Sequence, residues 1–278
     1  MVHFTATYSE LERDFKRRGI PTHAPGFCDH PNFLAFESHD PTYLNNYAAF
    51  VARKVYDNAY LSRARTVISK SAELLYQELL RHGRLGACVD ISGILSRILD
   101  REGVWNCPIK GSLTINFPPE AGLETSYFWS VDHGDFVAGH AWVFAPPFSV
   151  VDVAVKRQPY NPLKLPYLPE IVLSEDRRNI SVDIEDIVSP SACAEMLAHG
   201  VPAASFLDVA APQLKDMLQV FPAISVDGFQ GSHLKYSPVA IGLPDKPLEE
   251  MRNMDFDGRT PWELYNEMFR GRLDGGNV

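Results

Sequence analysis

The stretch CVDISGILSRILDREG, residues 88–103, constrains the fold more than any other part of the chain. Its apolar residues recur at the i, i+3, i+4, i+7 and i+8 positions of one helical face, as Ile91, Ile94, Leu95, Ile98 and Leu99. Arg97, Asp100 and Arg101 lie off this face, and Gly103 is a typical residue for ending a helix. The pattern predicts a helix over 88–102 whose apolar face packs on another layer of structure.

The regions on either side of this helix predict different secondary structure. Helical patterns precede it at 9–19, 44–60 and 62–82, and the proline-containing segment 20–43 is expected to be irregular. Strand-like runs separated by turn-forming residues follow it at 104–117, 126–131, 137–145 and 149–155. Helices followed by adjacent strands indicate an α+β fold, in which the N-terminal helices pack on an antiparallel sheet.

The domain organisation is predicted from a change of pattern after residue 158. Residues 1–158 are expected to form a core with an N-terminal helical arm. Residues 159–278 begin with the proline-rich run PYNPLKLPYLP and are expected to form a mixed α/β C-terminal extension, as part of the same domain or as a second lobe. Within the extension we expect helices near 190–199, 206–219 and 261–271 and strands near 222–228 and 234–241.

Composition excludes several classes of function. No stretch approaches the roughly 20 apolar residues of a membrane span, and the first 19 residues are polar, so we expect neither a membrane partner nor secretion by a signal peptide. The 26 basic and 35 acidic residues give a net charge of −9, which disfavours nucleic acid as a partner. Four scattered cysteines are too few for a disulfide scaffold, so we expect a reducing, cytoplasmic location.

Cys88 opens the predicted helix, which is a favourable place for a nucleophilic thiol. A helix N-terminus carries partial positive charge and unpaired backbone N–H groups, and both favour a thiolate. The same N–H groups are suited to an oxyanion formed when sulfur attacks a carbonyl. A lone cysteine is nonetheless often a small buried core residue, and Cys107 and Cys193 are interpreted in that way.

His140 and Asp152 lie on the predicted strands 137–145 and 149–155, which a turn near Pro146-Pro147 joins. If the hairpin is centred on residue 146, these two residues are direct cross-strand partners, with Cβ atoms roughly 4.5–5.5 Å apart. We expect both side chains on the sheet face that meets helix 88–102. A carboxylate beside an imidazole fixes its tautomer and stabilises its protonated form, as a catalytic base requires. Together with Cys88 the residues are interpreted as a Cys-His-Asp triad.

Three further residues are expected to wall this site. Trp142 follows His140 by two positions and shares its strand face, although a core aromatic is an equally good interpretation. Ala87 and Gly139 directly precede Cys88 and His140 in the chain.

The segments around these residues resemble the transglutaminase-like superfamily, whose core is papain-like, over about residues 85–155. GACVDISGILSRILDREGVWNCPIKGSL resembles its catalytic helix and following strand, with Asp90 as the acidic residue two positions after the cysteine. GHAWVF resembles its His strand and VVDVAV its Asp strand. In many relatives Pro or Thr directly follows the Asp, whereas here Val-Ala follows Asp152. The resemblance implies attack by the cysteine on an acyl carbon and an acyl-enzyme intermediate.

The expected activity is thiol-dependent hydrolysis of an amide or peptide bond, with a protein or peptide as substrate. The same triad serves a transglutaminase, an acyltransferase or a deamidase, and a catalytically inactive protein-binding module is an alternative of another class. We expect no cofactor and no metal, because no phosphate-binding loop or dinucleotide fingerprint occurs and no short His/Cys ligand pair lies on one predicted helix. His23, Cys28 and His30 have a spacing that zinc could accept, but the surrounding prolines indicate a loop.

Overall fold

The computed structural model describes residues 6–132, 135–136, 139–176, 178–252 and 254–270. The chain begins with the helices α1 (Tyr8–Arg17), α2 (Pro31–Glu37), α3 (Leu44–Arg53), α4 (Asn58–His82) and α5 (Cys88–Arg101). Their ends follow from local sequence. The side chain of Asp57 accepts a hydrogen bond from the Tyr60 amide and so caps α4. Gly83 ends the same helix with a φ of 75°, a left-handed conformation that suits glycine.

An antiparallel sheet forms the centre of the fold. Its strands are β1 (Cys107–Asn116), β2 (Ser126–Phe128), β5 (His140–Ala145), β6 (Phe148–Asp152), β7 (Val172–Ser174), β8 (Ile224–Asp227) and β9 (His233–Ile241). The strand order is β7-β6-β5-β1-β9-β8, and β2 also pairs with β1. A separate two-stranded sheet contains β3 (Val131–Asp132) and β4 (Asp135–Phe136). The predicted α+β class with an antiparallel sheet is therefore confirmed.

The C-terminal residues contribute to the same sheet. Between β7 and β8 the chain forms α6 (Ile184–Ile187), α7 (Pro190–Ala198), α8 (Phe206–Ala210) and α9 (Leu214–Val220). After β9 it forms α10 (Pro261–Leu264), which continues as a π-helix to Arg270. Because β9 pairs with β1, residues from both sides of the predicted boundary at 158 lie side by side.

Several predicted boundaries differ from the structure. The segment 20–43 is not irregular throughout, because it contains α2 and two short 3-10 turns. The predicted helix 44–60 ends at Arg53, and α4 begins at Asn58. The predicted helix 206–219 is divided into α8 and α9. Residues 137–138 and 271, which the predictions included, lie outside the described residues.

The two faces of the sheet are buried by different layers. On one face, Ala141, Val143 and Ala145 pack with α4 and α5. On the other, Trp142 and Phe144 pack with an aromatic cluster from the N-terminal helices, which includes Phe15, Phe27, Phe33, Tyr47 and Phe50. Alternate residues of β5 therefore enter different cores, as the strand period of two requires. None of the helices in the described part of the chain combines the length and apolar composition of a bilayer span.

Candidate active site

Cys88 is the first residue of α5, as the periodicity predicted. Ala87 is the N-cap and provides no side-chain hydrogen bond, so the first amides of the helix are not capped by its side chain. The loop before the helix is held by Gly86, whose amide donates to the carbonyl of Arg157 at 2.8 Å. Cys88 itself is 5% exposed. The fold thus fixes the thiol at the positive end of a buried helix.

His140 and Asp152 form a direct hydrogen bond inside the protein. Nε2 of His140 lies 2.6 Å from Oδ2 of Asp152, and both side chains are 0% exposed. Two other groups donate to the same carboxylate: the Tyr236 hydroxyl to Oδ2 and the Ala154 amide to Oδ1, each at 2.8 Å. Both oxygens of the buried carboxylate are therefore satisfied, which a buried charge requires.

The register of the β5–β6 hairpin differs from the prediction. The hairpin is not centred on residue 146. Its turn contains both Pro146 and Pro147, and Ala145 pairs with Phe148. Continued regularly, this register would place Asp152 opposite Ala141, on the other face from His140. A bulge in β6 inserts one extra residue, so that Val143 pairs with Val151. Asp152 then lies opposite Trp142, diagonal to His140 and on its face.

The face that carries His140 was also predicted wrongly. His140 lies with Trp142 and Tyr236 on the side of the aromatic cluster, whereas the alternate residues of β5 meet α5. It reaches Cys88 because it is the first residue of β5 and lies by the beginning of the helix, not along its body. The prediction was wrong because it assumed that Cys88, on the apolar face of the helix, could contact only a histidine on the sheet face that packs against this helix.

The ionisation of His140 reflects these neighbours. Burial by itself would lower the pKa of the imidazole. The charge of Asp152 and its hydrogen bond oppose this effect, and Cys88 adds a smaller contribution, so that the pKa of His140 is raised to about 10. Nδ1 of His140 has no hydrogen-bond partner among the described residues, while Nε2 is bound to Asp152. Nδ1 is therefore the ring nitrogen that remains for a thiol.

The three residues predicted to wall the site each have different surroundings in the structure. The Trp142 ring is stacked at 6.5 Å from the His140 ring, measured between centroids. Gly139 allows a close backbone approach, since a Cβ there would lie 2.2 Å from the carbonyl oxygen of Trp129. Ala87 is buried next to Cys88.

Three aromatic or phenolic side chains at the site were not found from the sequence. Phe128 lies 6.0 Å from the His140 ring and 5.5 Å from that of Tyr160. Burial and the nearby charges of Asp152 and Cys88 raise the pKa of Tyr160. Tyr236 was missed because it comes from β9, whose pairing with β1 has no local sequence signal. The hydroxyl of a buried tyrosine on a strand needs a hydrogen-bond partner, and this requirement is the sequence signal from which a contact of Tyr236 with a buried polar group could have been predicted.

The other thiols have less suitable surroundings. Burial raises the pKa of the Cys28, Cys107 and Cys193 thiols, and nearby carboxylates add to the effect at Cys28 and Cys107. Across the part of the chain that the structure describes, no three His, Cys, Asp or Glu side chains are grouped so that they could hold a metal ion.

The structure therefore brings Cys88, His140 and Asp152 together at the junction of α5 and the β5–β6 hairpin. Comparisons of the chain with protein-family models, with curated proteins and with solved structures found no match.

Proposed function

We propose that this protein is a thiol hydrolase that cleaves an amide or peptide bond through Cys88, His140 and Asp152. The observation that carries the proposal is the buried 2.6 Å hydrogen bond between His140 and Asp152, with the remaining ring nitrogen unbound and Cys88 beside the imidazole. A nucleophile, a base and a group that orients the base are the parts that acyl transfer requires.

The reaction follows from the ionisation of the pair. With the pKa of His140 raised to about 10, the imidazole carries a proton at neutral pH. An imidazolium beside a cysteine is the partner that a thiolate nucleophile requires. The sulfur attacks the carbonyl carbon, and amides at the start of α5 donate to the oxyanion. His140 then gives its proton to the leaving amine as the C–N bond breaks, which leaves a thioester on Cys88.

Hydrolysis of the thioester restores the enzyme. His140, now neutral, takes a proton from water as the water oxygen attacks the acyl carbon. The C–S bond breaks, the carboxylic acid leaves, and the thiolate and imidazolium are restored. Asp152 keeps the imidazole in one orientation throughout, because Tyr236 and Ala154 fix its two oxygens.

The resemblance of residues 85–155 to the transglutaminase-like superfamily supports this assignment and implies a papain-like arrangement of the core. Transglutaminase, acyltransferase or deamidase activity would use the same residues with another acceptor. We infer a protein or peptide substrate and a reducing, cytoplasmic location, the latter because the cysteines at 28, 88, 107 and 193 are all free thiols. A binding module without activity would not need the buried ion pair.

Mass spectrometry of the intact protein tests the proposal. Incubation with a mixture of peptides, followed by rapid acid quenching, is expected to trap an acyl adduct on Cys88 and to release shorter peptides. Cys88→Ala should lose both, whereas Cys193→Ala, a matched change of another free thiol, should retain both. Cleavage by Cys88→Ala would contradict the mechanism. Incorporation of a labelled primary amine into an acceptor protein would favour the transglutaminase alternative.

A further inference from the structure

A groove with a cavity volume of about 380 Å³ lies along the first turns of α5. Val89, Asp90 and Gly93 form its helical side, Lys110 of β1 forms another side, and the segment after β9 covers it with residues that include Lys246 and Arg252. Exposed Val89 gives the groove an apolar part close to its charged groups. The groove is large enough for an amino-acid side chain.

The groove begins next to the proposed catalytic residues. Val89 and Asp90 directly follow Cys88 in α5. Lys110 pairs across the sheet with Ala141, the residue after His140. A peptide whose scissile carbonyl lies at Cys88 can therefore place an adjacent side chain in this groove.

The charges that line the groove favour an anion. Lys110, Lys246 and Arg252 form no ion pair with any carboxylate of the described residues, and Arg252 donates to the backbone carbonyls of Glu249 and Met251. The negative charge of Asp90 is balanced by Arg84, whose guanidinium lies 2.6 Å from it. Asp245, the other acidic residue of the lining, is exposed, as are Lys246 and Arg252, whereas Lys110 is half-buried. A local excess of positive charge in a chain of net charge −9 indicates complementarity to a negatively charged ligand.

The position of Lys110 depends on two features of the backbone. The pairing of β1 with β9 shifts register between Lys110 and Gly111, and such irregularities redirect side chains. The Lys110 stem also lies over Gly242, where a Cβ would come within 2.7 Å of both Cγ and Cε. Gly242 thus leaves the space that the lysine occupies.

We propose that this groove binds an acidic side chain, glutamate or aspartate, of the peptide at the residue next to the bond that Cys88 attacks, with Lys110 as the main charged contact. The proposal rests on the proposed thiol chemistry and adds a substrate class to it. Val89 packs against the methylene part of the bound side chain, while the ammonium and guanidinium groups contact its carboxylate.

Peptidyl acyloxymethyl ketones test the preference without knowledge of the natural substrate. In these reagents the thiolate forms a C–S bond as the acyloxy carboxylate leaves. Three reagents would differ only in carrying Glu, Gln or Lys next to the ketone, and intact-mass spectrometry of the full chain would give the alkylation rate of Cys88. We expect the Glu reagent to react roughly 5-fold faster than the Gln reagent, as a half-exposed ion pair permits, and the Lys reagent to react most slowly. The Glu preference should decrease with added salt.

Variants identify the contact. Lys110→Gln should abolish the Glu preference, Lys110→Glu should reverse it in favour of the Lys reagent, and Gly242→Ala should weaken it by displacing the lysine stem. Lys16→Gln, on α1 and outside the groove, is the matched control and should keep it. Circular dichroism would establish that each variant is folded.

The reagents also separate the two proposals. Alkylation of Cys88 by uncharged iodoacetamide, combined with equal rates for the Glu and Gln reagents, would overturn the groove and leave the thiol chemistry standing. A Glu preference that survives Lys110→Gln would likewise overturn the assignment. Failure of iodoacetamide to modify Cys88 in the folded protein would contradict the proposed function itself.

Discussion

The hydroxyl of Tyr236 donates a hydrogen bond to Oδ2 of Asp152 at 2.8 Å, the same oxygen that lies 2.6 Å from His140. Burial of Tyr236 and the adjacent Asp152 charge raise the pKa of this tyrosine, so it remains a donor. Tyr236 belongs to β9 and Asp152 to β6, with β5 and β1 between them in the sheet. The orientation of the proposed base thus depends on two strands that are distant in the chain.

Tyr236→Phe removes one donor from a buried carboxylate and leaves the ring in place. We expect a fall in kcat of about 10-fold with little change in KM, because the hydroxyl positions the base and does not contact substrate. Steady-state kinetics with any peptide cleaved by the wild type would measure it. Tyr43→Phe removes a similar hydroxyl–carboxylate contact, with Asp14, from the N-terminal helices and should leave kcat unchanged. A change confined to KM would contradict a positioning role.

Asp152→Asn tests the orienting carboxylate while conserving its size. The charge that opposes the burial of the imidazolium is lost, so the pKa of His140 should fall from its raised value. We expect kcat to decrease by roughly 10²- to 10⁴-fold, with a much smaller effect on KM. Activity and thermal unfolding should be measured together, because a folded but fully active variant would remove Asp152 from the mechanism.

The ionisation of His140 predicts how stability depends on pH. Folding raises the pKa of this imidazole from 6.5 to about 10, so the native state binds more protons than the unfolded state between these values. Its contribution to the free energy of unfolding is therefore complete below about pH 6.5 and is lost as the pH rises through about 10. The same loss of the proton should set the alkaline limit of activity.

Urea unfolding of the wild type and of His140→Gln between pH 6 and 10.5 would isolate this contribution, since the other titrating groups are common to both proteins. We expect the wild type to lose its advantage as the solution becomes alkaline. A difference that stays constant or widens over this range would contradict the raised pKa.

The four thiols should react in a defined order. At near-neutral pH we expect substoichiometric iodoacetamide to modify Cys88 before the other cysteines. Cys88 lies at the start of α5 beside the protonated imidazole of His140, whereas burial raises the pKa of the Cys28, Cys107 and Cys193 thiols. Peptide mapping after partial labelling would measure the order, and activity should decrease in proportion to modification of Cys88. Preferential labelling of Cys28 with activity retained would contradict this assignment.

The sequence predicted those features that depend on local periodicity. It located α5, the start of the helix at Cys88 and the strands that carry His140 and Asp152, because repeats of 3.6 and 2 residues are visible within one element. The antiparallel α+β class was also predicted correctly. The catalytic roles of the three residues remain predictions.

The features that the sequence did not predict depend on pairing between distant segments. The bulge in β6, the face on which His140 lies and the place of β9 beside β1 are each set by tertiary packing. The positions of Tyr236 and Lys110 near the site also depend on that packing. The helix α2 was missed because the prolines around it dominated the local signal.

The bulge in β6 has an evolutionary consequence. In a regular hairpin with a two-residue turn, the spacing of His140 and Asp152 would put their side chains on opposite faces of the sheet. The extra residue of the bulge brings both side chains to the same face. A deletion of one residue here would direct the carboxylate into the opposite core even though Cys88, His140 and Asp152 are all still encoded. Insertions or deletions of two residues would keep Asp152 on the same face of the sheet as His140. Length variation in this hairpin should therefore be tolerated in even steps, and single-residue insertions or deletions should be selected against as strongly as loss of Asp152 itself.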